Sequence, residues 1–168
     1  YKLGDKEEER IERCFIHEKT NDFPDIGSYE QDLHLIKRYR EFLLNAVEHG
    51  FAGKTIVLDG AFGAAHRIAP DVFRRAGASV IAANCVDDGL SINRNCGAVY
   101  PHNLARKVLR YKADMGFAFD GDADRLIAVD EHGDVIDGDM ILCALAKYFD
   151  AQGKLPCRTA VGTSHTNM

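Results

Sequence analysis

Short apolar runs alternate with stretches of helical periodicity over residues 28–149. Leu33, Ile36, Tyr39, Leu43, Leu44 and Val47 recur every three or four residues, which predicts a helix stopped by Gly50. Ser28, with Gln31 three residues later, reads as its capping box. Residues 55–58 form a short apolar strand closed by Asp59-Gly60, and a helix is expected over 63–76, closed by Gly77. Residues 79–83 are the next strand. A polar connection, 84–103, follows, and unstructured connections of that length are often functional. In 104–112 the apolar side is Leu104, Val108 and Leu109, continued by Met115. The other side, Arg106, Lys107, Arg110 and Lys112, reads as a solvated helix face. Two more apolar runs, 115–119 and 126–129, are too close for a helical crossover, so they are expected to pair as antiparallel neighbours. A turn at 131–133 precedes a helix over 139–149, with Ile141, Leu142, Leu145, Ala146 and Phe149 on one side.

This alternation predicts an α/β protein, a three-layer α/β/α domain around a small mixed sheet. The ends fit less well. Residues 7–14 allow a short charged helix, and 21–27 read as a linker. Residues 159–162 begin a strand with no helix after it. The expectation is therefore one excised domain, 28–154. Residues 1–27 would be the tail of a preceding domain and a linker, and 155–168 the first strand of a following one.

Composition narrows the partners. The chain has 168 residues, 46% of them hydrophobic, and a net charge of -5, which argues against a nucleic-acid backbone as the main partner. No apolar stretch spans a bilayer and no signal peptide opens the chain, so no membrane partner is expected. Five cysteines, with no Cys-x-x-Cys, fit neither a disulfide framework nor a zinc knuckle and point to a reducing cytoplasm. Cys143, inside the last apolar helical pattern, is expected in the core. The histidines are scattered and none has metal-helix spacing.

The chemistry concentrates in Asp120-Gly121-Asp122-Ala123-Asp124-Arg125, between the two adjacent strands. Three carboxylates this close repel, and they converge only if a cation compensates or some bind a proton. Alternate residues of an extended segment share a face, which would aim Asp120, Asp122 and Asp124 the same way. A hard divalent ion held by oxygen is the simplest occupant, and Mg2+ is the usual one beside phosphate. Arg125 can offer a bidentate fork to such a phosphate. A plain acidic surface turn is the alternative. An EF-hand would need glycine where Arg125 stands. An aspartate-nucleophile phosphatase would use Asp120 and Asp122 but usually has Thr or Val at the place of Asp124. An Asp-x-Asp sugar transferase leaves Asp124 and Arg125 without a role.

With Arg125 included, the loop resembles the metal-binding loop of the α-D-phosphohexomutases. Its lead-in, residues 113–119, and its exit, 126–133 followed by 135–139, are similar to that family as well. So are Ile92-Asn93-Arg94-Asn95-Cys96-Gly97 and the strand-to-helix turn at 57–65. The likeness is closest to bacterial members acting on glucosamine phosphate. It implies the second domain of a four-domain cytoplasmic enzyme that interconverts hexose 6- and 1-phosphates through a bisphosphate. Asp120, Asp122 and Asp124 would hold Mg2+ against a phosphoserine of the first domain, and Arg125 would contact the phosphoryl group in flight. The expected substrate is a phosphosugar, bound with the help of the other domains, and a homodimer of the full-length enzyme is possible. The chain by itself is expected to be inactive and to bind Mg2+ weakly.

Three departures stand out. Ala123 replaces a usual glycine, which is tolerable if its φ is negative. Phe62 stands where asparagine is common, and residues 97–102 replace a usual Gly-Ser-Thr-His-Pro-Glu. Ser164-His165-Thr166-Asn167 is superficially similar to the family's nucleophile motif but follows the metal loop, so it is read as a strand end of the next domain.

Overall fold

A computed structural model describes residues 3–17, 27–30, 32–163 and 166. The chain divides into two units, Tyr1–Leu33 and His34–Met168. In the first, α1 (Asp5–His17) places Asp5, Glu7 and Glu8 in its first turn, where the helix dipole favours negative charge. Of the expected linker, 21–26 lie outside the described residues. So does Gln31. The helix α2 starts at Leu33 (Leu33–Asn45), while Ser28 lies in irregular chain before it. Residues 164, 165 and 167 of the nucleophile-like tetrad are likewise outside the described residues.

The second unit is built on a five-stranded sheet. Its strands are β1 (Thr55–Asp59), β2 (Ser79–Ala83), β3 (Met115–Phe119), β4 (Leu126–Asp130) and β5 (Val135–Ile136), in the order β2-β1-β3-β4-β5. β1 runs parallel to both β2 and β3, while β3–β4 and β4–β5 are antiparallel. The sheet is mixed, as its connections require: helices return the chain between parallel strands, and the six-residue acidic loop returns it antiparallel. α3 (Ala65–Arg75) links β1 to β2, and α4 (Pro101–Tyr111) precedes β3. The two-residue β5 is too short to carry a period, and the sequence gives no sign of it.

Side chains of β1 alternate between two cores. Val57 packs with Leu104, Ala105 and Val108 of α4, and with Ala118 and Val129 of the neighbouring strands. Ile56 and Leu58 pack with Ala65 and Ala69 of α3 and with Ala78, ringed by Phe51, Phe73 and Phe117. The expected α/β/α layering is therefore present, with α4 on one face of the sheet and α3 on the other. Gly116 explains how close α4 comes: a Cβ there would lie 2.6 Å from Val108 Cγ2 and 2.9 Å from Leu104 Cδ1.

Several expectations need correction. α4 begins at Pro101, not residue 104, because proline suits the first helical turn, where its missing N–H would be unsatisfied anyway. Leu109 is exposed rather than part of the buried stripe, and it rests near Gly133. Lys107 is not simply solvated, since its ammonium lies 4.0 Å from a fully buried carboxylate, Asp59. Cys143 is not in the core: it is exposed on α5 (Gly138–Ala151), which has no fully buried residue and whose apolar face is only partly covered, with Ile141, Leu142 and Ala146 half-buried and Leu145 and Phe149 exposed. Residues 159–163 form no strand, because a strand needs a neighbour's N–H and C=O groups and this segment pairs with no strand among the described residues. Val161 within it is 84% exposed. All five cysteines are free thiols, and burial first of all pushes Cys85 and Cys96 up in pKa. Among the described residues, no helix is long and apolar enough to cross a membrane.

The α4 face gives a direct test. Leu104 is fully buried against the sheet. Leu104→Ala should lower stability by about 2–5 kcal/mol through lost burial and a residual cavity, read as a lower urea midpoint.

Candidate metal centre

The acidic loop leaves the sheet at the carboxyl end of β3, beside the carboxyl end of β1, where open α/β sheets bind ligands. Its shape is a turn and not an extended strand: the Ala123 N–H donates to the Asp120 carbonyl at 3.2 Å. Convergence of the three aspartates thus comes from the turn, not from strand alternation. One oxygen from each of Asp120, Asp122 and Asp124 lies within 4.8 Å of the others.

The loop is anchored from below and from both sides. Asp120 is only 1% exposed, whereas Asp122 and Asp124 face outward. Asp120 Oδ1 accepts from the Arg125 backbone N–H at 3.1 Å, and Oδ2 accepts from Arg125 Nε at 2.7 Å. At the start of α3, the Ala64 N–H donates to the Gly121 carbonyl at 2.8 Å. Gly63 must be glycine there, because a Cβ would run into that carbonyl. On the other side, the Asn93 N–H donates to the Ala61 carbonyl at 3.1 Å, and the Asn93 amide packs on Gly121.

Asp59 supports the same edge. It is fully buried at the end of β1, and its Oδ1 accepts from the Ala61 N–H and from Asn84 Nδ2, each at 3.0 Å. Its Oδ2 takes a second 3.0 Å bond from Asn84 Nδ2 and faces Lys107. Sequence reasoning treated Asp59 only as a strand end, and Asn93 only as a loop residue. The available signal was an acid directly after a wholly apolar strand, which rarely stays buried without partners.

The electrostatics of the trio are unevenly balanced. Burial pushes the Asp120 carboxyl up, but the two bonds from Arg125 outweigh it and hold the group below the usual carboxylate range. Repulsion from Asp122, followed by the hydrogen bond shared with Asp120, pushes Asp124 up. Arg125 is raised, chiefly by its bond to Asp120. Its Nε also lies 3.5 Å from Asp124 Oδ1, and its side chain is 66% exposed.

The residues fit a hard divalent cation. The cluster offers carboxylate oxygen alone, with neither nitrogen nor sulfur. Three carboxylates and one guanidinium leave two uncompensated negative charges, the complement of a divalent ion. An EF-hand is excluded here, since strands β3 and β4 flank the loop and Arg125 occupies the turn position that needs glycine.

A carboxylate cluster that could hold a hard cation, at the carboxyl edge of an α/β/α sheet, is the class that fold and site define. A model of the phosphoglucomutase/phosphomannomutase α/β/α domain II matches residues 37–133, a span that includes the β1 turn, the Asn93 loop and the acidic loop. The chain belongs to that family, as its domain II. It is 41% identical over 172 residues to the phosphoglucosamine mutase of Dictyoglomus turgidum, a match over 100% of this chain and 38% of that protein. With the phosphoglucosamine mutase of a Nitratiruptor species it shares 42% over 173 residues, 99% of this chain and 39% of that protein. The crystal structure of a phosphoglucomutase/phosphomannomutase family protein from Burkholderia thailandensis superposes with a TM-score of 0.71 at 26% identity, over 90% of this chain and 33% of that one. The chain spans about two fifths of the length of the curated relatives it matches.

The departures from the family pattern now have a physical reading. The negative φ that would make Ala123 tolerable is not present: its φ is +63°, and Phe62 has +55°. Both occupy left-handed backbone, where the glycine and asparagine usual at these places are the tolerated residues. Ala123→Gly should therefore raise stability by about 0.5–1 kcal/mol after the extra freedom glycine gives the unfolded chain. A higher urea midpoint in EDTA is the expected reading.

Proposed function

We propose that this chain is the metal-binding domain of a hexose-phosphate mutase that converts glucosamine 6-phosphate to glucosamine 1-phosphate through a bisphosphorylated sugar. The observation that carries the reading is the convergence of Asp120, Asp122 and Asp124 with Arg125 on Asp120. Relatives about 40% identical over the full chain, each named phosphoglucosamine mutase, support the amino-sugar substrate. Residues 28–154 are then the domain proper. Residues 1–27 and 155–168 would be parts of the neighbouring domains, which supply the phosphoserine and the sugar-selecting loop.

In this reading Asp120, Asp122 and Asp124 hold Mg2+. When bound, the ion neutralises charge on the phosphoryl oxygens and fixes their position, the main needs of phosphoryl transfer. The protein's own part is mostly orientation. Asp120 is fixed from both oxygens by Arg125, so the first ligand is rigid before the cation arrives. Asp122 and Asp124, on the open side, complete the donor set. Arg125 has Nε committed to Asp120 and an exposed guanidinium, which leaves its outer face for the moving phosphoryl group.

Two measurements test this. The intact enzyme, offered the 6-phosphates of glucosamine, glucose and mannose, should form glucosamine 1-phosphate fastest. A preference for another sugar would move the substrate assignment within the family. Asp122→Asn should cut turnover by about 10²-fold or more while leaving the fold intact. It should also raise the Tm of the metal-free protein, because one like charge leaves the trio. Unchanged turnover would sink the ligand assignment.

A further inference from the structure

Asn93 stands beside the acidic loop on left-handed backbone that asparagine tolerates, with a side-chain oxygen whose burial costs stability. Its φ is +59°. Its Oδ1 is buried with no hydrogen-bond partner among the described residues. A buried acceptor left unpaired destabilises a fold, and glycine would suit the same left-handed backbone without it, so backbone conformation alone gives no reason to keep the amide. The neighbours do. The Asn93 N–H is tied to the Ala61 carbonyl, and the Ala61 N–H is tied in turn to buried Asp59. That chain fixes the height of the Asn93 side chain over the sheet edge. The amide lies directly on Gly121: a Cβ at Gly121 would stand 2.9 Å from Asn93 Nδ2 and 2.6 Å from Ile92 Cγ2. Gly121 joins Asp120 to Asp122, so whatever limits its position sets the spacing of two of the three carboxylates.

We propose that Asn93 is a positioning residue for the metal loop: it clamps Gly121 from above while the Ala64 N–H holds the Gly121 carbonyl from the side. The clamp keeps mutually repelling carboxylates in their cation-ready spacing at the expense of the metal-free protein. Strain of this kind persists at functional sites when surrounding structure over-determines it. The inference rests on the metal reading above.

The test uses the intact enzyme, stripped of metal, with Mg2+ binding measured by calorimetry and Tm measured in EDTA. Asn93→Gly keeps the left-handed backbone and removes the amide. It should weaken Mg2+ binding about tenfold or more, the usual effect of losing support behind a ligand. Its Tm in EDTA should be equal to or above that of the parent. A residue of ordinary structural importance would instead lower both quantities, and that result, or unaltered Mg2+ affinity, overturns the proposal. Asp122→Asn serves as the control. If it binds Mg2+ as tightly as the parent, or the parent binds none, the metal reading itself is at fault and not the clamp.

Discussion

Everything at the functional edge of this domain follows from holding one carboxylate, Asp120, out of water beside two more that remain in it. Burial alone would drive a proton onto Asp120. Arg125 prevents this by donating twice, from its backbone N–H and from Nε. The two donors come from a residue five positions on, so the bonds also close the loop. Charge compensation and loop geometry are therefore one interaction, and neither is available without the other. The remaining imbalance falls on the exposed pair, where repulsion from Asp122 raises Asp124. A site in this condition is stabilised by any divalent cation small enough to meet all three oxygens.

The sheet supplies what the loop cannot. Side chains of β1 divide between two cores, which fixes the strand firmly from both faces. Its last residue, Asp59, then spends a buried charge on the turns around it, with Lys107 from α4 as the partial counter-charge. Left-handed residues gather along this edge: Ala61 and Phe62 after β1, Asn84 after β2, Asn93 and Asn95 before α4, and Ala123 in the acidic loop. Such backbone is costly for residues other than glycine and asparagine. Its concentration where β1, β2 and β3 end, away from the helical layers, is the pattern expected of a site whose shape is imposed by its surroundings.

Local periodicity made most of the fold legible. Residues 55–58, 79–83, 115–119 and 126–129 were readable as strands because each is short, apolar and bounded by Gly or Asp. Their antiparallel or parallel sense followed from connection length. The chemistry was legible in composition, since no ordinary turn needs three spaced aspartates and an arginine. What failed was information that lies between elements. The burial of Cys143 depends on what covers α5, and nothing in that helix encodes it. The φ of Ala123 depends on Asp120 accepting from both Ala123 and Arg125, so the turn closes more tightly than an extended segment would. Asp59 and Asn93 became visible only when β1, the 91–97 segment and the acidic loop were brought to one edge.

Arg125 has a place in this arrangement that differs from that of a free phosphate-binding arginine. A guanidinium reserved for substrate would sit in solvent with all its donors open. Here Nε and the backbone N–H are both committed to Asp120, so the side chain has fewer conformations to lose when an anion arrives. The commitment also links two events. Under the proposed function, a cation that draws on Asp120 and a phosphoryl group that draws on the outer face of Arg125 act on opposite ends of one hydrogen-bonded pair. Each draws charge away from the pair, so the Asp120–Arg125 bond weakens as they arrive, while the cation and the anionic phosphoryl group attract one another directly. Cation and phosphoryl group should then bind better together than separately through the attraction of their opposite charges, with the Asp120–Arg125 pair fixing where each of them sits.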